Sequence, residues 1–237
     1  MTIRVILFDV NGTLLGYEDR QGFQKRFGQA CCDLGHPATV GQVERVFGHL
    51  VRDWGARKRE GLQRASSDEQ YRATMTWVYQ QMLEGLGIPG DVEAQASALY
   101  ERFIIREGFM PLHSDVEDTL DHLRAAGLRL GVLSNFPSHL EDTLKQHGIH
   151  GHFDFFVISS LVGLEKPDPA IFELAIARAC VPRDQILYLG DDPEDDIQGA
   201  SAVGLAAILV DRHGHWPDAR SPRIKSLAEL PAIVQTL

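Results

Sequence analysis

The sequence has few cysteines and no long apolar run, and these shortages exclude several classes of protein. Its 237 residues include three cysteines, Cys31, Cys32 and Cys180, an odd number that gives no basis for a disulfide framework. No apolar run approaches the roughly 18 residues that suggest a membrane span, and no signal-peptide pattern occurs. We therefore expect a protein of the reducing cytoplasm that is neither secreted through a signal peptide nor membrane-spanning.

Basic residues are also scarce relative to acidic ones. The chain has 33 acidic and 23 basic residues, a formal net charge of -10. This excess of negative charge repels nucleic acid and anionic membrane surfaces, so we expect no partner of either kind. A small ligand is the favoured partner. With 44% hydrophobic residues, the chain can bury one full core and carry a smaller second domain.

Short apolar runs separated by helix-length segments indicate a parallel sheet. The predicted strands are residues 3–8, 128–133, 153–158, 185–189 and 206–210. Between them, helices are predicted at 116–126, with Ser114 as N-cap, at 137–147, and from Asp168-Pro169 to about Cys180. Strands that alternate with helices are typical of a Rossmann-like α/β fold.

The interval from 16 to 108 has helical periodicity and no comparable strand run. Four helices are predicted there, at 21–34, 40–59, 67–86 and 92–105. We therefore predict a helical-bundle cap domain at 16–108, inserted into a core domain made of 1–15 and 109–237. An insertion after the first strand is expected over the ligand-binding edge of the sheet, where it would act as a lid. Arg52, Trp54, Arg57 and Lys58 are candidates for selecting the substrate.

Acidic residues follow two of the predicted strands. Asp9 comes after the first strand and before the turn at Asn11-Gly12, and five acids lie within residues 191–196 after the fourth. Taken alone, Asp9 is better explained as a turn-capping residue. The acidic run alone is equally explained as an exposed helix start. Such a cluster of carboxylates repels itself unless a cation or water intervenes. Carboxylates from separate loops suit Mg²⁺, which keeps waters and substrate phosphate as its other ligands.

Two further strand ends have the groups that bind phosphate. Ser134-Asn135 offers a hydroxyl and backbone N–H groups before a helix, a suitable anion site, although a simple helix cap is the commoner use. Lys166 precedes the helix that begins near Asp168, where its ammonium could hold both Asp9 and a phosphoryl group. By itself, Lys166 would be an ordinary surface lysine.

The four sites, in this order, resemble the haloacid dehalogenase superfamily. Its phosphatase branch has the motifs D-x-D-G-T, a Ser or Thr at a strand end, Lys-Pro, and G-D-x-x-x-N-D. Here they read Asp9-Val10-Asn11-Gly12-Thr13, Ser134-Asn135, Lys166-Pro167, and Gly190-Asp191 with Asp195-Asp196. The resemblance covers nearly the whole chain.

This resemblance implies a role for each matching residue. Asp9 would be the nucleophile that forms an aspartyl phosphate. Asp9, Asp191 and the backbone carbonyl of Asn11 would hold Mg²⁺, with Asp196 as a supporting acid and Asp195 where the family often has Asn. The phosphoryl group would be bound by Lys166 and by four residues of the first two motifs: Gly12, Thr13, Ser134 and Asn135.

Asn11 departs from the pattern of the phosphatase branch. Phosphatases of the family have an aspartic acid there as general acid and base, and an asparagine cannot carry the proton. The resemblance therefore implies a Mg²⁺-dependent phosphatase of small phosphorylated metabolites that turns over slowly. Three alternatives remain open: a dehalogenase, a phosphonatase that uses Lys25 or Lys58 to form a Schiff base, and a non-catalytic binding protein that retains the fold.

Overall fold

A single sheet of parallel strands organises the larger part of the molecule. The computed structural model describes residues 2–59, 65–106 and 110–236, and the backbone alone for 51–59. The six strands, in the order β3-β2-β1-β4-β5-β6, are β1 (Val5–Phe8), β2 (Arg129–Ser134), β3 (Phe155–Ile158), β4 (Ile186–Gly190), β5 (Ala206–Val210) and β6 (Arg223–Ile224). The predicted α/β fold is confirmed.

The composition of the central strands explains their position. All four residues of β1 are fully buried, as expected of a strand that has parallel neighbours on both sides and helices on both faces. The five predicted strands are confirmed to within two residues at each end. The sixth strand was missed, because two residues carry no recognisable alternation.

Helices of the same unit lie between the first five strands and after the sixth. They are α5 (Val116–Ala125), α6 (Leu140–Gln146), α7 (Ser159–Val162), α8 (Pro169–Ala179), α9 (Gly199–Ala202) and α10 (Leu230–Val234). Helices α8 and α9 bury Phe172 and Ala200 in one cluster with Val5 and Leu7, so they cover one face of β1. Helix α8 begins at Asp168-Pro169 as predicted, and Asp168 caps it by accepting a hydrogen bond from the Ala170 N–H.

The residue before α5 and the start of α6 differ from the prediction. Asp115, not Ser114, precedes α5, and its side chain does not cap the helix. It bonds instead to residues far along the chain, including Arg212, which local sequence cannot reveal. Helix α6 begins at Leu140, three residues after the predicted start at Pro137.

The chain divides into two compact units. One comprises Met1–Gly16, Ala65–Ser67 and Met110–Leu237, and the other Tyr17–Arg64 and Asp68–Phe109. The first unit therefore includes Ala65–Ser67, which the predicted boundaries assign to the insertion. The division at 16 and 108 into a core domain and a cap domain stays a prediction.

The second unit is helical, and the four predicted helices are confirmed. They are α1 (Gly22–Asp33), α2 (Val40–Arg59), α3 (Asp68–Gly85) and α4 (Val92–Tyr100), the last continuing as a π-helical segment (Glu101–Arg106). Phe27, Tyr79 and Phe103 form a buried aromatic cluster in which the rings of Tyr79 and Phe103 meet edge to face. In the described residues, no helix is long and apolar enough to span a membrane.

Candidate active site

Strand register brings the predicted site residues together. Phe8 of β1 pairs with Val132 of β2 on one side and with Leu189 of β4 on the other. The carboxyl ends of three neighbouring strands therefore lie side by side, which places Asp9, Ser134 and Asp191 at one edge of the sheet. This edge is where open α/β sheets bind their ligands.

Lys166 lies at the centre of a buried set of polar contacts. Its Nζ lies 2.6 Å from Asp9 Oδ1 and 2.5 Å from Asp196 Oδ1, and it also donates to the Tyr188 hydroxyl at 3.0 Å. Asp9, Lys166 and Asp196 are each no more than 4% exposed. The lysine that would be an ordinary surface residue by sequence alone is in fact a buried bridge between two carboxylates.

The protonation of these groups follows from burial and from their mutual charge. Burial raises the pKa of Asp9 to about 6, and Asp196 adds to the rise while Lys166 opposes it. For Lys166 burial favours the neutral amine, but the charges of Asp196 and Asp9 outweigh this effect and raise its pKa above its usual value. Lys166 is therefore charged at neutral pH, and Asp9 is largely ionised.

Asp191 completes a group of three carboxylates. Oxygens of Asp9, Asp191 and Asp196 lie within 4.8 Å of one another. Burial and repulsion from the neighbouring acids hold the pKa of Asp191 well above its usual value. Among the described residues, the three carboxylates share one ammonium, that of Lys166, which leaves an excess of negative charge in the cluster. The donor set and its spacing fit a hard divalent cation, which prefers carboxylate oxygens.

Two glycines allow these carboxylates to come close to the backbone. A Cβ on Gly12 would lie 2.0 Å from Asp191 Oδ2, and one on Gly190 would lie 2.2 Å from Asp196 Cγ. Gly12 also has a φ of +77°, which favours glycine. Any side chain at either position would displace an acid of the cluster.

The other acids of the run 191–196 have different surroundings. Asp192 accepts hydrogen bonds from the backbone N–H groups of Glu194 and Asp195, and so caps the π-helical segment Pro193–Gln198. Its own N–H donates to Asp196 Oδ2 at 3.0 Å, which orients that carboxylate. The run 191–196 is thus partly a helix start, one of its two interpretations from sequence. Its other part belongs to the acidic cluster.

Ser134 and Asn135 both hold parts of the site. The Ser134 hydroxyl donates to Asp9 Oδ1 at 3.0 Å. The Asn135 side chain accepts from the Lys166 N–H at 2.8 Å and donates to the Lys166 carbonyl at 3.0 Å. This reciprocal pair fixes the backbone of Lys166. Sequence reasoning assigned only the Asn135 amide and missed this use of the side chain.

The turn after β1 contains two buried polar atoms without hydrogen-bond partners. In the described part of the chain, neither Asn11 Oδ1 nor Thr13 Oγ1 has one. Thr13 is fully buried, and its carbonyl accepts from Arg212. Unpartnered buried polar atoms are uncommon, so both are available to a bound group.

Tyr188 is a further residue of the site that sequence reasoning missed. Its hydroxyl donates to Asp196 Oδ1 at 2.8 Å, and burial raises its pKa well above the usual value. A signal was present, because a tyrosine within an otherwise aliphatic buried strand needs a partner for its hydroxyl.

The predicted residues of the insertion are only partly described. Lys25, a candidate for a Schiff base, forms an exposed ion pair with Asp19. The side chains of the other candidates, Arg52, Trp54, Arg57 and Lys58, lie outside the described residues.

Comparison with known sequences gives a consistent result. The chain matches the haloacid dehalogenase-like hydrolase family over residues 3–204. It is 36% identical to haloacid dehalogenase-like hydrolase domain-containing protein 3 of Homo sapiens, across 89% of this chain and 82% of that protein. It is 31% identical to glyceraldehyde 3-phosphate phosphatase of Methanopyrus kandleri, across 91% of this chain and 87% of that enzyme.

Comparison with solved structures agrees on the fold. The HAD-hydrolase YfnB of Bacillus subtilis superposes with a TM-score of 0.80 at 22% identity, across 99% of both chains. The L-2-haloacid dehalogenase RSc1362 superposes with a TM-score of 0.77 at 25% identity, across 99% of this chain and all of the other. With its motifs at the strand ends and a family match over most of its length, the chain belongs to the haloacid dehalogenase-like hydrolases.

Proposed function

We propose that this hydrolase is a Mg²⁺-dependent phosphatase that acts on a small phosphorylated metabolite through an aspartyl phosphate on Asp9. The observation that carries the proposal is the buried contact of Asp9 with Lys166, next to the acidic cluster of Asp9, Asp191 and Asp196. A carboxylate nucleophile must meet an anionic phosphoryl group, and both an ammonium and a metal ion offset that repulsion.

The residues present fit the metal. Asp9 and Asp191 would hold Mg²⁺ with the backbone carbonyl of Asn11, and Asp196 would support it. When bound, the ion supplies positive charge to the phosphoryl oxygens and lowers the repulsion within the cluster. Burial, and then repulsion from Asp9 and Asp196, raise the pKa of Asp191; this supports the fit, because a bound cation would stabilise the ionised carboxylate.

The chain's own residues define the first half of the reaction. Lys166 and Ser134 both donate to Asp9 Oδ1, so the carboxylate is held in one orientation for attack on phosphorus. Lys166 then contacts the phosphoryl group as well as Asp9. Gly12, Thr13 and the Asn135 amide are the further groups that we assign to the phosphoryl oxygens, and the unpartnered hydroxyl of Thr13 supports that assignment.

The second half of the reaction needs a base for the attacking water. Asn11 cannot serve as one, and positioned proton transfer typically contributes about 10²–10⁴-fold in rate. We therefore expect the aspartyl phosphate to accumulate. Phosphates with good leaving groups should react best, because their departure needs no proton from position 11.

The main alternative is hydrolysis of a haloacid. It is favoured by the structural similarity to a 25% identical dehalogenase and by the absence of Asp at position 11. Against it stands the acidic cluster, because Asp191 and Asp196 would repel a carboxylate substrate. Similarity to the glyceraldehyde 3-phosphate phosphatase of Methanopyrus kandleri, which covers 91% of this chain, also supports the proposed phosphatase activity.

The test is release of phosphate from a panel of phosphorylated metabolites and p-nitrophenyl phosphate, with Mg²⁺ and with excess chelator. We expect Mg²⁺-dependent release, an initial burst with the aryl phosphate, and loss of both in Asp9→Asn. Halide release from 2-haloacids that needs Asp9 but no metal, without phosphate release, would replace the proposal by the dehalogenase.

A further inference from the structure

A loop after β5 contacts both of the loops that carry the acidic cluster. We define the β5 loop as residues 211–216, which lie beyond the stretch 3–204 that matches the family. From this loop, Arg212 donates to the Thr13 carbonyl, from Nη2 at 2.7 Å and from Nε at 3.2 Å. The turn that begins at Asp9 is therefore held from outside by a charged donor, the stronger kind of hydrogen bond.

Arg212 is itself fixed by a carboxylate. Two of its nitrogens contact Asp115 Oδ1 and Oδ2, each at 2.9 Å. Asp115 also accepts from the Ser226 hydroxyl and the Leu227 N–H. A guanidinium with planar paired contacts has little freedom to move, so it can hold the Thr13 carbonyl in place.

The same loop reaches the second acidic strand end. Trp216 donates from its indole Nε1 to the Asp191 carbonyl at 3.1 Å. The buried carboxylate of Asp211 accepts from the N–H groups of His215 and Trp216, at 2.7 and 3.2 Å. Asp211 thus folds the β5 loop so that Arg212 and Trp216 reach two different loops.

We propose that the β5 loop sets the spacing between Asp9 and Asp191, with Arg212 and Trp216 as positioning residues. Each contacts a backbone carbonyl on one of the two loops, and neither contact involves the carboxylates themselves. Because the oxygens of the three acids lie within 4.8 Å of one another, small shifts of either loop change the cluster. This inference rests on the proposed function for the identity of the ion, Mg²⁺.

The experiment compares Arg212→Met with a matched control, Arg183→Met. Arg183 also binds a backbone carbonyl, that of Val203, and a carboxylate, that of Glu173, but it lies before β4, at the opposite edge of the sheet. Two quantities are measured: Mg²⁺ affinity by calorimetry, and amide hydrogen exchange of the segment 10–15. The second measurement needs no metal and no substrate.

We expect Arg212→Met to speed exchange in segment 10–15 and to weaken Mg²⁺ binding by about ten-fold, the lower end of the effect of residues that orient metal ligands. Arg183→Met should do neither. Trp216→Phe, which keeps the ring but loses the N–H, should weaken Mg²⁺ binding without changing exchange in segment 10–15. It tests the proposal even if Arg212→Met does not fold.

Two outcomes would overturn the positioning role. One is unchanged exchange in segment 10–15 of a folded Arg212→Met protein. The other is a Mg²⁺ affinity that is unchanged from the parent in both Arg212→Met and Trp216→Phe. A parent that binds no Mg²⁺ would instead refute the proposed metal and with it the role in metal spacing, whereas faster local exchange would still show that Arg212 orders the turn.

Discussion

Replacing Lys166 by methionine is the sharpest test of the buried ion cluster. The substitution keeps most of the side-chain length and removes the ammonium that contacts Asp9 and Asp196. Both carboxylates are buried, so neither can recover its lost partner from solvent. Removing one member of a buried pair typically costs about 3–5 kcal/mol, because the remaining charge is left uncompensated.

The expected change in melting temperature follows from the size of the chain. For domains of this size, each kcal/mol shifts the melting temperature by roughly 2–4 °C, so we expect Lys166→Met to melt roughly 6–20 °C lower. The measurement is thermal unfolding followed by circular dichroism at pH 8, in chelator so that no metal compensates. Lys145→Met, which removes an exposed lysine paired with Asp142, is the control and should melt close to the parent.

The loss should depend on pH in a defined direction. Without Lys166, the pKa of Asp9 rises above its value of about 6 in the parent. The folded variant then binds a proton that the unfolded chain, with a carboxyl pKa of about 3.9, has lost. The folded parent binds the same proton below about pH 6, so the stability of the variant relative to the parent falls as pH rises from about 6 to the higher pKa of the variant. A loss of stability in Lys166→Met that is equal at pH 5 and pH 8, or no loss at all, would refute the stabilising role of the Lys166 ammonium.

Three further predictions concern the catalytic turn, the metal and a structural carboxylate. Asn11→Asp should raise turnover of p-nitrophenyl phosphate by about ten-fold or more and remove the burst; a folded, Mg²⁺-binding variant that is no faster would contradict the assigned defect. Asp191→Asn should fold normally and lose Mg²⁺-dependent activity in a phosphate-release assay, whereas Glu194→Gln should retain it; full parental activity in excess chelator would argue against the metal. Burial opposes ionisation of Asp115, but hydrogen bonds from Arg212 and Ser226 lower its pKa overall. The ionised Asp115 therefore contributes to the free energy of unfolding above the unfolded pKa of about 3.9, and this contribution is lost as pH falls through the lower folded pKa. In urea unfolding, Asp115→Asn should lose more free energy of unfolding relative to the parent at pH 7 than at pH 3.

The sequence predicts the parts of the site that follow strand ends. Asp9, Ser134 and Asp191 could be placed together because apolar runs end just before them and parallel strands share one carboxyl edge. Short apolar runs predict five of the six strands described, and helical periodicity predicts the four helices of the insertion. Periodicity and turn residues are local signals, and they were sufficient here.

The contacts that the sequence could not predict join distant residues without a local pattern. Arg212 and the Thr13 carbonyl are 199 positions apart, and neither residue is unusual in its own segment. The backbone of Ala65 bonds to the side chains of Ser159 and Glu165, which explains why Ala65–Ser67 groups with the sheet. The side-chain role of Asn135 is also hidden, because its partner Lys166 is 31 positions away and because helix caps and phosphate sites have similar sequences.

The sequence separation within the ion cluster has a consequence for folding kinetics. Asp9 meets Ser134 and Lys166 across 125 and 157 positions, so these contacts close very long loops and cannot form before the strands have paired. Interactions that form after the transition state act mainly on the unfolding rate. The cluster should therefore slow the opening of the native protein without guiding its formation, and a cation bound there would extend the native lifetime further.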